Sequence, residues 1–412
     1  MILTLASKSL MNRKGSVVLT IAAMTVSLFV LLAVDHIRQQ SKQSFASTVS
    51  GVDLIVGSRT SSINLLLYSV FRIGSATANV NWDTYQDLIK HPKIAWSIPI
   101  SLGDSHKGYR VMGTTDAFFT HFKFGKKHPL TFANGKPFKG AFDVVLGADV
   151  SKKLNYKLNQ PIVLSHGIAA TSFVNHEQHP FKVVGILKPT GTPVDQTLYV
   201  SLQDIKAIHA NWQTGTLTNQ PEAHEDQSHT LTPDSITAVM IGLTSRMATF
   251  GVQRHINQYE YEPLSAILPG VALSELWQIM GSVERVLELI SYLVFLASLL
   301  GLAAMLLASM RERHQEIQLL RVIGVPAWYI FLVVELEAVL IALLSSAISI
   351  MALWAALMGF QSTLTTEFGL QISVNVFSLN NLAILALVLL ATAMAAAIPS
   401  IMAYRSATNT TN

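Results

Sequence analysis

The chain contains no cysteine, which excludes disulfides, thiolate metal ligands and cysteine nucleophiles. Charged residues make up only 13% of it, where an average soluble domain carries about a quarter. Set against 50% hydrophobic residues, that shortage points to a membrane. No run of Lys and Arg interleaved with aromatics occurs and the formal charge of +4 is mild, so nucleic acid is not an expected partner. A G-x-x-x-x-G-K-[ST] phosphate loop is missing, and Gly125-Lys126-Lys127 lacks the upstream glycine that would make one. Neither an H-E-x-x-H helix nor a Ser/His/Asp grouping stands out, so no catalytic residue is expected.

What is present is concentrated at the two ends. Four windows, 17–34, 289–310, 327–360 and 382–404, are long and apolar enough to cross a bilayer; their uncharged runs, 338–360 in the third, measure about 27 to 35 Å each. The third carries Glu335 and Glu337 in its first turns, where snorkelling or an interhelical pair explains them. Lys and Arg favour the cytoplasm in short flanks. Lys8, Arg13 and Lys14 precede the first window, Arg311, Arg313 and Arg321 lie between the second and third, and Arg405 follows the fourth. The segment 361–381 has neither Lys nor Arg. The expected layout is a cytoplasmic 1–16, a cytoplasmic 311–326, an external loop at 361–381 and a cytoplasmic tail at 405–412. The first window also has the charge pattern of a signal peptide, but Asp35-His36-Ile37-Arg38-Gln39-Gln40 after it reads as a helix leaving the membrane.

Residues 35–288 then lie outside. Their texture is that of a soluble α+β domain, with strands expected at 52–56, 94–100, 143–146, 161–165, 181–187 and 236–243. Helices are expected at 83–90 and 244–259, capped by Asp83 and Thr244. A smaller lobe is expected as an insertion at 115–230. Residues 35–50 and 274–290 read as stalk helices, the second with Leu276, Ile279, Met280, Val283, Leu287 and Ile290 at helical spacing. Such a stripe usually means packing, and here it would also fuse the outer domain to two membrane helices. The fold class is therefore a membrane protein with four transmembrane α-helices, one plus three, and a large α+β extracytoplasmic domain between helices 1 and 2.

Histidines gather in the outer segment. His176 and His179 have H-x-x-H spacing with His166 nearby, and His224 and His229 bracket a polar loop. Zinc needs three or four converging ligands, and no tight motif supplies them. These five are the metal candidates, but they read as scattered surface and turn histidines, so neither metal nor cofactor is expected. Residues 190–195 have the composition of a turn or exposed loop.

Between the second and third spans the chain reads Arg311-Glu312-Arg313-His314-Gln315-Glu316-Ile317-Gln318-Leu319-Leu320-Arg321-Val322-Ile323-Gly324. The pattern predicts a short amphipathic helix stopped by Gly324 and Pro326. By spacing alone it is either a juxtamembrane helix obeying the charge bias or a docking helix for a soluble partner. The run R-E-R-x-x-E-I-x-L-L-R-x-x-G between two apolar spans resembles the signature of FtsX/MacB-like ABC permeases. Support comes from Ala6-Ser7-Lys8-Ser9-Leu10, Ile398-Pro399, Tyr404-Arg405 and the outer segments 51–57 and 183–187. The resemblance implies that this segment is a coupling helix, with Arg311, Arg313, Glu316, Ile317, Leu320, Arg321 and Gly324 facing an ATPase. Only sixteen residues precede the first span and no phosphate loop follows, so the ATPase is expected as a separate subunit. It further implies an inner-membrane, non-catalytic permease, and because four spans make a poor enclosed pore, a dimer with a second copy or a homologous permease is expected. Mechanotransmission would move a lipidic, peptide or small hydrophobic substrate, with a periplasmic protein as a further candidate partner. The alternatives are a signalling regulator of a cell-wall hydrolase and the permease of a zinc acquisition system.

Overall fold

A computed structural model describes the chain except residues 1–9, 12, 49, 126, 168–178, 210–211, 214–215, 218–231, 313–321, 324, 369–372, 374 and 410–412. It forms two units, Met1–Gln40 with Met280–Ser362 and Ile372–Asn412, and Ser41–Ile279 with Thr363–Gln371. The helices used below are α1 (Lys14–Ser47), α2 (Trp82–Leu88), α3 (Ala117–His121), α4 (Ala148–Leu154), α5 (Leu202–His209), α6 (Thr249–Asn257), α7 (Pro269–Glu312), α8 (Ala327–Phe368) and α9 (Leu379–Asn409).

The first unit is a helical membrane bundle. Lys14–Lys42, Pro269–Met310, Trp328–Phe360 and Leu379–Met402 are each long and apolar enough to span, so the one-plus-three arrangement holds. Lipid removes the hydrophobic drive between helices, and close approach of small side chains takes its place. Ala338, Ala342, Ser345 and Ser349 lie buried on one face of α8, and Thr392, Ala396 and Ser400 on one face of α9. Ala338, Ala342 and Ala396 pack with Met24, Leu302 and Leu306. Hydroxyls add cross-helix links, Ser27 Oγ donating to the Val294 carbonyl at 3.3 Å and Ser345 Oγ to that of Ile21 at 3.4 Å. Leu19, Val26, Leu300, Met351, Leu387 and Leu390 point outward, as lipid requires. Glu337 is buried and does not snorkel. At one end of the bundle the Asp35 carboxylate accepts from Arg38 at 2.8 Å, Gln39 at 2.8 Å and Asn380 at 2.6 Å. Arg38 also reaches Glu288 at 3.3 Å, which ties α1, α7 and α9 together.

The second unit is built on an eleven-stranded sheet. Its strands are β1 (Leu54–Ser58), β2 (Ile94–His106), β3 (Tyr109–Thr114), β4 (Phe132–Gly135), β5 (Asp143–Leu146), β6 (Pro161–Ile162), β7 (Ser165–His166), β8 (Phe181–Leu187), β9 (Thr197–Ser201), β10 (Ala238–Leu243) and β11 (Leu264–Ile267). They run in the order β11-β1-β10-β2-β3-β9-β5-β8-β4, with β7 added to β2 and β6 to β8. The β3–β9 and β5–β8 pairs are parallel and the other pairs antiparallel. The hinge of the arrangement is β2. Its first half pairs with β10, and its second half with β3.

Side chains alternate across each strand, and at β1, β5, β9 and β10 both faces are covered, so these central stretches are apolar at successive positions. Leu54 and Val56 face one core with Val239, Ile241, Val252 and Ile256, beneath α2 and α6. Val144, Leu146, Leu198 and Val200 face another with Val150, Ala207 and Ile208, beneath α4 and α5. The intervening Ile55, Val145, Tyr199 and Met240 turn to the opposite side, where they join one core shared by both halves of the sheet.

Several local features differ from the sequence pattern. The strand from Ile94 runs on to His106 because it changes partner midway, and the expected 161–165 strand divides into β6 and β7 on different neighbours. Asn81, not Asp83, stands at the α2 N-cap, leaving Asp83 in the first turn, where its charge opposes the helix dipole favourably. Ser245, not Thr244, caps the next helical segment, accepting from the Met247 amide ahead of α6. Met280, Val283, Leu287 and Ile290 are exposed, so among the described residues this part of the α7 stripe is not covered.

Candidate functional site

Of the expected coupling residues, Arg311 falls in the last turn of α7. Arg313, Glu316, Ile317, Leu320, Arg321 and Gly324 lie outside the described residues.

The outer domain brings together a group that spacing did not reveal. Ser101 pairs with Gly113, Leu102 with Met112, and Ser105 with Arg110, so three steps along β2 face two along β3. The extra residue makes a bulge, a device that re-aims a side chain, and Asp104 sits in it. On the other edge of β2, β7 lies antiparallel and sets His166 directly opposite Asp104. His209, the last residue of α5, completes the group. Asp104 Oδ1 stands 3.3 Å from His166 Nδ1 and 3.4 Å from His209 Nε2, and the two imidazole nitrogens are 3.1 Å apart. The Asp104 side chain is 1% exposed and that of His166 47%, so the group is anchored inside and open on one side. The Ile205 carbonyl lies 2.7 Å from His209 Nδ1 and accepts its proton, which leaves Nε2 facing the others. Burial disfavours a charge on His209, but the hydrogen bond and negative charge of Asp104 outweigh it and raise the pKa.

Of the two sequence candidates among the described residues, His166 joins this group and His179 does not. His179 stacks on Phe142 with ring centroids 5.0 Å apart, and His176, His224 and His229 lie outside the described residues. His106 is near in sequence, but its nitrogens already meet the Val163 carbonyl at 2.7 Å and the Tyr156 hydroxyl at 2.9 Å. Asp104 lies beyond the strand expected at 94–100, and His209 ends a helix that is not among those expected from the sequence. Nothing in the spacing joined them.

The 190–195 segment is a turn, but not an exposed one. Thr190, Thr192 and Asp195 are buried. The Asp195 carboxylate accepts from the Thr190 amide at 2.8 Å, the Thr190 hydroxyl at 2.9 Å and the Gly191 amide at 2.6 Å. Composition marked the polar turn but could not show that Asp195 closes it from within. The turn also packs on Gly147, where a Cβ would stand 2.4 Å from the Val194 and Asp195 carbonyl oxygens, so no larger residue fits. Burial pushes the Asp195 carboxyl from the ordinary 3.8 up to about 6, against the pull of these donors. A raised carboxylate pKa means that the folded state holds the proton more tightly than the unfolded state. Its stability contribution is therefore full below pH ~4, falls as pH rises toward ~6, and is level above that. The stability advantage of wild type over Asp195→Asn is expected to shrink by as much as about 3 kcal/mol across this window. Thermal unfolding of both proteins from pH 4 to 7 measures it, and an advantage independent of pH would refute the assignment.

Comparison with known proteins places this architecture. The MacB-like periplasmic core domain matches residues 17–259, and the FtsX-like permease C-terminal domain matches residues 288–408. Among solved structures the chain is similar to the extracellular domain of the noncanonic ABC-type transporter YknZ from Gram-positive bacteria. That similarity has 12% identity and a TM-score of 0.31, covering 52% of this chain and 98% of that one. No curated protein matches. One domain type spans most of the outer unit and the first membrane helix, and the other spans the remaining three helices, so the chain belongs to the FtsX/MacB-like family of ABC-type transporter permeases.

Proposed function

We propose that this permease transmits the motion of a separate cytoplasmic ATPase to its outer domain, without hydrolysing ATP itself. The observation that carries the reading is the sharing of helices. Within a family of ABC-type permeases, α1 and α7 each contribute residues to both the membrane unit and the outer unit. Hydrogen bonding along a helix resists bending, so displacement at one end reaches the other. The 311–326 segment is the docking element in this reading, and both chain ends lie in the cytoplasm of a bacterial inner membrane. The substrate class is lipidic, peptide or small hydrophobic. The working unit in this reading is a dimer of permeases, homo or hetero, because four spans make a poor enclosed pore.

Orientation is the condition for coupling, since an ATPase reaches the 311–326 segment only from the cytoplasm. Met247 and Val322 are 93% and 88% exposed and stand on the two sides assigned here. The chain lacks cysteine, so Met247→Cys and Val322→Cys each introduce one thiol. In spheroplasts, a membrane-impermeant maleimide is expected to label the first and to label the second only after lysis. The reverse pattern, or labelling of both before lysis, overturns the reading.

A further inference from the structure

The transmission of motion assigns no work to Asp104, His166 and His209. We propose that these three residues form a zinc-binding site on the outer domain, with an open position for a fourth ligand. The inference stands independently of the ATPase and of substrate transport. Its main support is metric. Ligand atoms bound about 2.0 Å from a tetrahedral ion stand about 3.3 Å from one another, whereas octahedral neighbours at the same bond length stand about 2.8 Å apart. The three donor atoms are separated by 3.1, 3.3 and 3.4 Å, close to the edges of one face of a zinc tetrahedron.

The chemistry agrees with the distances. Two imidazole nitrogens and a carboxylate oxygen are ordinary zinc donors, and one divalent ion serves all three. The buried Asp104 carboxylate supplies the charged oxygen donor of the set. Zinc-ligating histidines usually donate the remaining N–H to a carbonyl or carboxylate, which holds the ring in place. His209 does so through Ile205 at 2.7 Å. The bulge in β2 supplies the remaining element, since it departs from the regular ladder at the residue that brings the carboxylate. Exposure of His166 leaves an entry path. Three protein ligands with one open side match an ion that exchanges, rather than a closed structural site.

The test uses the full-length permease in detergent, purified on a tag without histidine and stripped with a chelator. Equilibrium dialysis against zinc followed by elemental analysis counts bound metal, and cobalt substituted for zinc reports coordination through its visible spectrum. The expected result is a tetrahedral cobalt spectrum in wild type that disappears in His166→Ala and in His209→Gln, each with the loss of one zinc equivalent. His179→Ala, at a ring stacked on Phe142, should keep both. If His209→Gln fails to fold, His166→Ala decides alone, because that side chain is half exposed. The proposal is overturned if wild type retains no zinc, if it retains iron in preference to zinc, or if His166→Ala keeps the full equivalent and the spectrum.

Discussion

Exchanging Leu320 for aspartate is expected to strip the ATPase from the permease while membrane insertion and the outer domain stay intact. We base this on the pattern of 311–324, in which Glu316, Leu320 and Ile323 fall on neighbouring turns of a helical register and Arg321 flanks them. A leucine seated in a partner's groove is the kind of anchor whose truncation costs about 2 kcal/mol, a loss of roughly thirtyfold in affinity. Aspartate adds an unpaired charge at a desolvated interface and should cost more. The measurement is co-purification of the ATPase with tagged permease, beside cellular function. Gln318→Ala, on the opposite side of the register, should leave both unchanged. Recovery of the ATPase at wild-type yield with Leu320→Asp would show that this segment does not couple the two proteins.

The outer domain should respond most strongly at Phe118. This residue of α3 is fully buried in the core shared by both halves of the sheet. Its ring stacks on Tyr199 at 4.8 Å and on Phe122 at 4.9 Å, and meets Phe119 edge-on at 5.6 Å. Replacement by alanine removes the ring's burial and leaves a cavity that the surrounding strands cannot close. Such a change costs about 3–5 kcal/mol, a large part of the stability of an ordinary domain. Chemical unfolding followed by near-ultraviolet circular dichroism should register a loss of that size, with membrane insertion unaffected. A loss under about 1 kcal/mol would mean that the aromatic cluster does not hold the two halves together.

Much of this architecture was legible because its signals are local. A membrane span declares itself through length and polarity alone, and the four spans stand where the apolar windows fall. Strand 143–146 was readable from its unbroken, buried Val144-Val145-Leu146 run, and 181–187 from its alternation, with Phe181, Val183, Gly185 and Leu187 buried and Lys182 exposed. Boundaries were less legible where the cause was not local. The strand from Ile94 outlasts its apolar run because β3 offers it a second partner, and the polar 190–195 turn is buried because Gly147 admits it so closely. Spacing linked His166 to His176 and His179, neighbours in sequence. Strand pairing instead linked it to Asp104, sixty-two positions earlier.

The amino-acid sequence by itself determined the membrane character, the one-plus-three order of spans, the α+β nature of the outer domain and the resemblance of the 311–324 segment to a coupling helix. Each is written in composition, periodicity or a contiguous motif, within the reach of a single helix or strand. Only the tertiary structure decided that β2 carries a bulge at Asp104, that β7 sets His166 across from it, and that α5 ends with His209 beside both. Those three residues come from separate elements. Their meeting depends on sheet register and helix packing, where a shift of one residue would turn a strand's side chains to the other face.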